Sequence, residues 1–261
     1  MNFLTLKHLM LAALLVMSRP AFALHIMLDP GHGGIDTGAV HGQAREADLV
    51  LKVAQKLKTL LEKDANFKVT LTRQLDKNIS LPHRVKMAEE AKADIFVSLH
   101  ANAASDSRAK GVEFFFQNNL PPDEDALYLA SQENQALLNS KELHKISGGD
   151  NLSKKGDVAA ILEDLRRQNR LQSSLRLSKT LTSVWNTDVN APQATIKQAP
   201  FYVISKTTMP SVLIEIGFLT NPREAKRLLN TDYQSDLAQK IYTALLSYKE
   251  KMDNHTAKTL D

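Results

Sequence analysis

Two histidines and two glutamates are placed where they could do chemistry. His32 stands in the run Asp29-Pro30-Gly31-His32-Gly33-Gly34, and His100 in Ser98-Leu99-His100-Ala101-Asn102. Each follows an apolar stretch that reads as a buried strand, His25–Asp29 and Asp94–Leu99. Glu46 opens an amphipathic helix. Imidazole, carboxylate and imidazole form a ligand set suited to a catalytic zinc, because three protein ligands leave the fourth position for water. Taken singly, each residue has a plainer reading. A histidine at a strand end can simply pack or hydrogen-bond, and Glu46 can complement the positive end of its helix. His41, close to His32 and Glu46, competes as a ligand. Glu215 lies inside the apolar run Ser211–Phe218. It is either a glutamate on the exposed face of an edge strand or a general base beside the metal, and the pattern alone leaves these even.

Several elements must position these groups. Leu49, Val50, Val53, Leu57, Leu60 and Leu61 share helical spacing after Glu46. Phe67–Thr72 alternates as a strand, Pro82 starts a helix that continues to Ala93, and Val112–Phe116, Phe201–Ile204 and Val212–Ile216 read as further strands. Leu237, Ile241, Leu245 and Tyr248 define a closing helix. Strands alternating with helices predict an α/β fold with a mostly parallel central sheet flanked by helices, its ligand site outside the carboxyl ends of the strands. Residues 119–197 are too long for a simple connection and carry helical patterns over Ala126–Leu138 and Asp157–Trp185. They read as an inserted helical segment packed on one face or edge of the sheet.

Composition narrows the classes. The 261 residues suit one domain with an embellishment, and the absence of cysteine excludes thiolate metal sites and cysteine nucleophiles. Five of the ten glycines, Gly31, Gly33, Gly34, Gly38 and Gly42, fall within twelve residues, marking a place where the backbone itself has a task. Lys7, the apolar run Leu9–Met17, Pro20 and Ala21-Phe22-Ala23 form a secretory signal over residues 1–23, with the mature chain starting at Leu24. Its removal takes Lys7 and Arg19, leaving 31 basic against 29 acidic residues and no clustered basic face for nucleic acid. No membrane span is expected after cleavage. The expected location is the periplasm or the exterior.

The ordered motifs Asp29–Gly34, Glu46, Ser98–Asn102 and Glu215-Ile216-Gly217-Phe218-Leu219-Thr220-Asn221 closely resemble the zinc-dependent N-acetylmuramoyl-L-alanine amidases of the Amidase_3 type. The resemblance runs from His25 to about Tyr248. It implies Zn2+ held by His32, Glu46 and His100, a catalytic Glu215, and no ligand role for His41. The implied reaction is hydrolysis of the amide joining N-acetylmuramic acid to L-alanine in peptidoglycan. Another zinc hydrolase of the wall polymer, such as a deacetylase or carboxypeptidase, and a non-catalytic wall-binding module are the alternatives. Ala130–Asn134 and Asp164–Leu177 look like the insertion of the cell-division amidases, whose inserted helix covers the cleft and is displaced by a degenerate LytM-type activator. Glu133 is the candidate carboxylate that caps the zinc in the closed state. The resulting organisation is a catalytic domain over 24–252, interrupted by an autoinhibitory segment at 119–197, and a polar tail at 253–261. The targeting domain often found N-terminal to this family is not expected here.

Overall fold

The computed structural model of the protein describes residues 22–118, 120–138, 157–187 and 193–258. Nearly all of the expected signal segment lies outside the described residues, as does the Gly148-Gly149 loop. Six strands build the main sheet: β1 (Leu24–Pro30), β4 (Phe67–Leu71), β5 (Ile95–Asn102), β6 (Val112–Phe116), β7 (Ala194–Gln198) and β8 (Ser211–Phe218). A two-residue pair, β2 (Val40–His41) and β3 (Ala44–Arg45), forms a small hairpin. The sheet order is β4-β1-β5-β8-β6-β7. Within this sheet, among the described residues, only the β8–β6 pairing is antiparallel. The fold is therefore the mixed α/β architecture with a mostly parallel sheet.

The helices are α1 (Glu46–Leu61), α2 (Leu81–Glu90), α3 (Glu124–Leu138), α4 (Asp157–Trp185), α5 (Tyr202–Ser205), α6 (Pro222–Leu228) and α7 (Thr231–Lys258). Strand alternation divides the core into two layers. Ile26, Leu28, Val97, Leu99, Val212 and Ile214 face one layer with α1, α7 and the C-terminal half of α4. Met27, Phe96, Phe115 and Leu213 face the other, with α2, α3 and α5. Burial on both faces explains the near-continuous apolar runs of β1, β5 and β8.

Sequence expectation and structure differ at four places. Phe201–Ile204 is not a strand. Phe201 is an extended N-cap after Pro200, and Tyr202–Ser205 forms α5, with the Phe201 ring 5.1 Å from that of Phe115. Ala194–Gln198, read as part of the insertion, is instead the edge strand β7, paired in parallel with β6. The insertion also does not pack on one side. Ala126 and Ala130 of α3 sit in one core layer, while Leu177, Leu181 and Trp185 of α4 sit in the other. α7 continues to Lys258, through most of the segment read as a polar tail.

Candidate metal centre and active site

β1 delivers the first histidine. The chain leaves the sheet at Pro30, and the Gly31 N–H donates to the Leu99 carbonyl at 2.9 Å, so the exit is tied to the neighbouring strand. His32 then adopts φ 54°, a left-handed conformation uncommon for a residue with a Cβ. Its Nδ1 lies 3.0 Å from Asp36 Oδ1, which turns Nε2 toward the cluster. The loop returns through β2 and β3 to α1. Here the Glu46 N–H donates to Ala39 O at 2.9 Å and the Ala47 N–H to Thr37 O at 3.1 Å.

These bonds bring Glu46 beneath His32. Glu46 Oε2 accepts from the Ala39 N–H and Oε1 from the Ala101 N–H, each at 2.9 Å. Oε1 also lies 3.1 Å from His32 Nε2 and 3.1 Å from His100 Nδ1. Burial alone would raise the Glu46 pKa, but His32 and His100 pull it far below the usual carboxylate range. His100 comes from the end of β5, its ring 4.9 Å from that of His32 at 75°. Two glycines leave the room for this. A Cβ at Gly31 would fall 2.4 Å from His100 ring atoms, and one at Gly38 would fall 2.5 Å from Glu46 Oε2 and 2.7 Å from His32 Cδ2. The glycine cluster thus has a specific steric task at these two positions.

α3 adds a fourth donor. Glu133 Oε2 lies 3.3 Å from His32 Nε2 and 3.4 Å from His100 Nδ1. Asn134 holds the helix there, donating to Pro200 O at 3.0 Å and accepting from the Tyr202 N–H at 2.8 Å. Donor atoms of His32, Glu46, His100 and Glu133 all lie within 4.8 Å of one another. His32 Nε2 is buried yet makes no aligned hydrogen bond despite two carboxylates in reach. An unsatisfied buried nitrogen facing convergent nitrogen and oxygen donors fits a metal ion such as zinc. His41 is exposed in the hairpin and stands outside this cluster. Among the other histidines, His83 is exposed on α2, and His25 contacts Thr70 Oγ1 at 2.9 Å.

Glu215 is not on an edge strand. β8 lies between β5 and β6, and Glu215 is only 1% exposed. It is registered opposite His100 on one side and Glu113 on the other, so the three share one face across three strands. Neither carboxylate oxygen has a hydrogen-bond partner. Burial, followed by the charges of Glu46, Glu133 and Glu113, raises its pKa well above the usual value. Glu113 is differently provided for, accepting from Asn102 Nδ2 at 2.9 Å and pairing with Lys197 Nζ at 2.8 Å. An ionisable group kept bare and proton-retaining beside a metal-type cluster can take up and return a proton during a reaction. Asp36 escaped the sequence reading. Its signal was available, as an aspartate four residues beyond a candidate ligand can fix the ring.

The family profile described as N-acetylmuramoyl-L-alanine amidase, Amidase_3, matches residues 26–247. The chain belongs to the Amidase_3 family. It is 34% identical over 227 residues to the N-acetylmuramoyl-L-alanine amidase AmiC of Escherichia coli O6:H1, covering 85% of this chain and 52% of that protein. It is 32% identical over 236 residues to AmiA of Salmonella typhimurium, covering 90% and 79%. The chain thus spans about half the length of the first relative and about four fifths of the second. Among solved structures, an N-acetylmuramoyl-L-alanine amidase from Clostridium difficile 630 superposes with a TM-score of 0.60 at 27% identity, covering 88% of this chain and 98% of that one. The Clostridioides difficile amidase CwlD, solved in complex with the GerS lipoprotein, gives 0.61 at 25% identity, covering 86% and 97%. The Amidase_3 match spans β1 to α7 and includes His32, Glu46, His100 and Glu215.

Proposed function

We propose that this chain hydrolyses the amide between N-acetylmuramic acid and L-alanine in peptidoglycan, with Zn2+ held by His32, Glu46 and His100 and Glu215 as the proton-transfer group. The observation that carries this reading is the convergence of three nitrogen and oxygen donors next to a buried, unpartnered glutamate. Zinc, when bound, supplies Lewis acidity that lowers the pKa of water and polarises a carbonyl. The protein's own groups do the rest. Asp36 fixes the His32 ring through Nδ1, and Glu46 is held by two backbone N–H groups. In its ionised form, which a neighbouring cation would favour, Glu215 takes a proton from the attacking water. The carbon–nitrogen bond breaks, the lactyl carbonyl carbon keeps the new hydroxyl as a carboxylic acid that ionises to solvent, and Glu215 returns its proton to the departing alanine amine.

Two further features belong to the proposal. α3 with Glu133 is an autoinhibitory lid, because its carboxylate reaches both histidines where substrate would bind. The N-terminal half of α4 offers Ile161, Leu162 and Leu165 to solvent, 60%, 48% and 56% exposed, an apolar stripe suited to an activating partner. A degenerate LytM-type protein is the activator we infer, and the GerS complex of CwlD offers a precedent for partner binding. We place the enzyme in the cell envelope, periplasmic or secreted, after loss of residues 1–23. No helix among the described residues is long and apolar enough to cross a membrane.

Mass spectrometry of sacculi digested by the zinc-loaded protein tests the reaction. Free stem peptides beginning with alanine are expected. Released acetate would identify a deacetylase, and shortened stems still attached to glycan a carboxypeptidase. No release, with Glu133→Ala equally silent, would leave the wall-binding module.

A further inference from the structure

We propose that two buried arginines, Arg73 and Arg84, are positioning residues that set the metal-binding conformation of the loop after β1. The inference rests on the reading that His32, Glu46 and His100 hold the metal. Neither arginine touches the candidate ligands' side chains, and both act on the backbone that aims them.

Arg73 follows β4 and is 3% exposed. Its Nε donates to Pro30 O at 2.9 Å, and Nη2 donates to Gly31 O at 2.6 Å and Ala47 O at 2.8 Å. It therefore joins the loop that carries His32 to the helix start that carries Glu46. Arg84 lies within α2 and is 2% exposed. Its Nη1 donates to Pro30 O at 2.8 Å and its Nη2 to His32 O at 2.7 Å. Three consecutive carbonyls, Pro30, Gly31 and His32, thus all accept from guanidinium groups. Fixing those peptide planes fixes the left-handed φ of His32, which a free loop would leave.

The arginines are themselves held in place. Arg84 Nη1 pairs with Asp29 Oδ1 at 2.6 Å, and its Nε donates to Ile79 O at 2.9 Å. Asp29 also accepts from Thr72 Oγ1 at 2.6 Å and Ser98 Oγ at 2.9 Å. With four donated bonds inside the protein, Arg84 is committed to the scaffold even though it borders a cavity of about 510 Å³ with His32, His100 and Glu133. A planar fork of donors is what this task requires, and a lysine ammonium on a flexible stem cannot bridge the same carbonyls.

The test uses the full chain with zinc alone as probe. Zinc affinity is read by competition with a chromophoric chelator, and thermal unfolding is followed in chelator-treated samples. Arg73→Lys and Arg84→Lys are expected to weaken zinc binding by about 10- to 100-fold. Leu245→Ala, a buried core position of α7 outside the arginine network, is expected to lower the melting temperature without changing zinc affinity. Wild-type zinc affinity in folded arginine variants would overturn the proposal, and so would an equal loss of affinity in Leu245→Ala. If the lysine variants do not fold, Thr72→Val and Ser98→Ala loosen Asp29 instead. Weakened zinc binding in these supports the proposal, and unchanged binding in both refutes it. Failure of the wild-type chain to bind one zinc would instead remove the underlying metal reading.

Discussion

Glu215 carries the sharpest conflict between stability and activity in the molecule. Its two oxygens are buried without partners, and burial plus three neighbouring carboxylates hold its proton on. A folded-state pKa raised above the unfolded value means that stability is lost as pH rises from about 4.5 toward that raised value. Glu215→Gln keeps the shape and removes both the proposed proton-transfer group and this cost. The expected outcome is a folded, zinc-binding protein whose peptide release from sacculi falls by on the order of 10²- to 10⁴-fold. In chelator-treated samples, its melting temperature should exceed the wild type's by a margin that grows with pH. Wild-type release rates would rule out the assigned role. At this scale the sequence was informative wherever position in the chain determines position in space. His32 and His100 follow strands, and Glu46 opens a helix, so one end of the sheet gathers them. Arg73 and Arg84 were invisible because nothing in the sequence distinguishes a buried arginine on carbonyls from a solvated one.

The elements differ in how firmly they are tied down, and α3 is the one that the proposed lid role requires to move. Among the described residues, its hold on the core comes from the buried Ala126 and Ala130, the partly buried Leu129 and the Asn134 bonds to Pro200 and Tyr202. Leu127 and Tyr128 remain exposed. A helix held by two alanines, one partly buried leucine and one asparagine is expected to leave at lower cost than one held by several fully buried leucines. Glu133→Ala removes the contact with both histidines and should raise basal release from sacculi several-fold. Asn134→Ala, which loosens the helix without touching the histidines, should raise it as well. Activity unchanged in both variants would refute the lid role of α3. Element boundaries show where sequence patterns lose force. Phe201–Ile204 is an apolar run of four, too short for periodicity to separate strand from helix. β7 was hidden because Lys197 and Gln198 interrupt any apolar pattern on an edge strand, where only partial burial is required. β1, β5 and β8 were legible because burial on both faces forces continuous apolar sequence.

For the whole molecule, the metal reading predicts how zinc, protons and folding are linked. Burial alone would lower the His32 pKa, but Glu46, Glu133 and Asp36 outweigh it and raise the value well above 6.5. A raised histidine contributes stability that is fully present below the unfolded pKa and lost as pH rises through the folded one. Glu215 acts in the same direction, losing stability above about 4.5. Asp29 acts oppositely: burial would raise its pKa, but Arg84 and Thr72 lower it overall, so its contribution is lost only as pH falls below about 3.8. On these three groups the chelator-treated protein should be most stable between about pH 3.8 and 4.5 and should weaken as pH rises toward 8. Zinc requires neutral imidazoles and ionised carboxylates, so its binding releases protons and strengthens over the same range. Saturating metal at 100 times its Kd would add about 2.7 kcal/mol to folding. Melting curves from pH 5 to 8, with zinc and with chelator, should diverge as pH rises. Parallel curves would mean that His32, Glu46 and His100 are not where the metal binds.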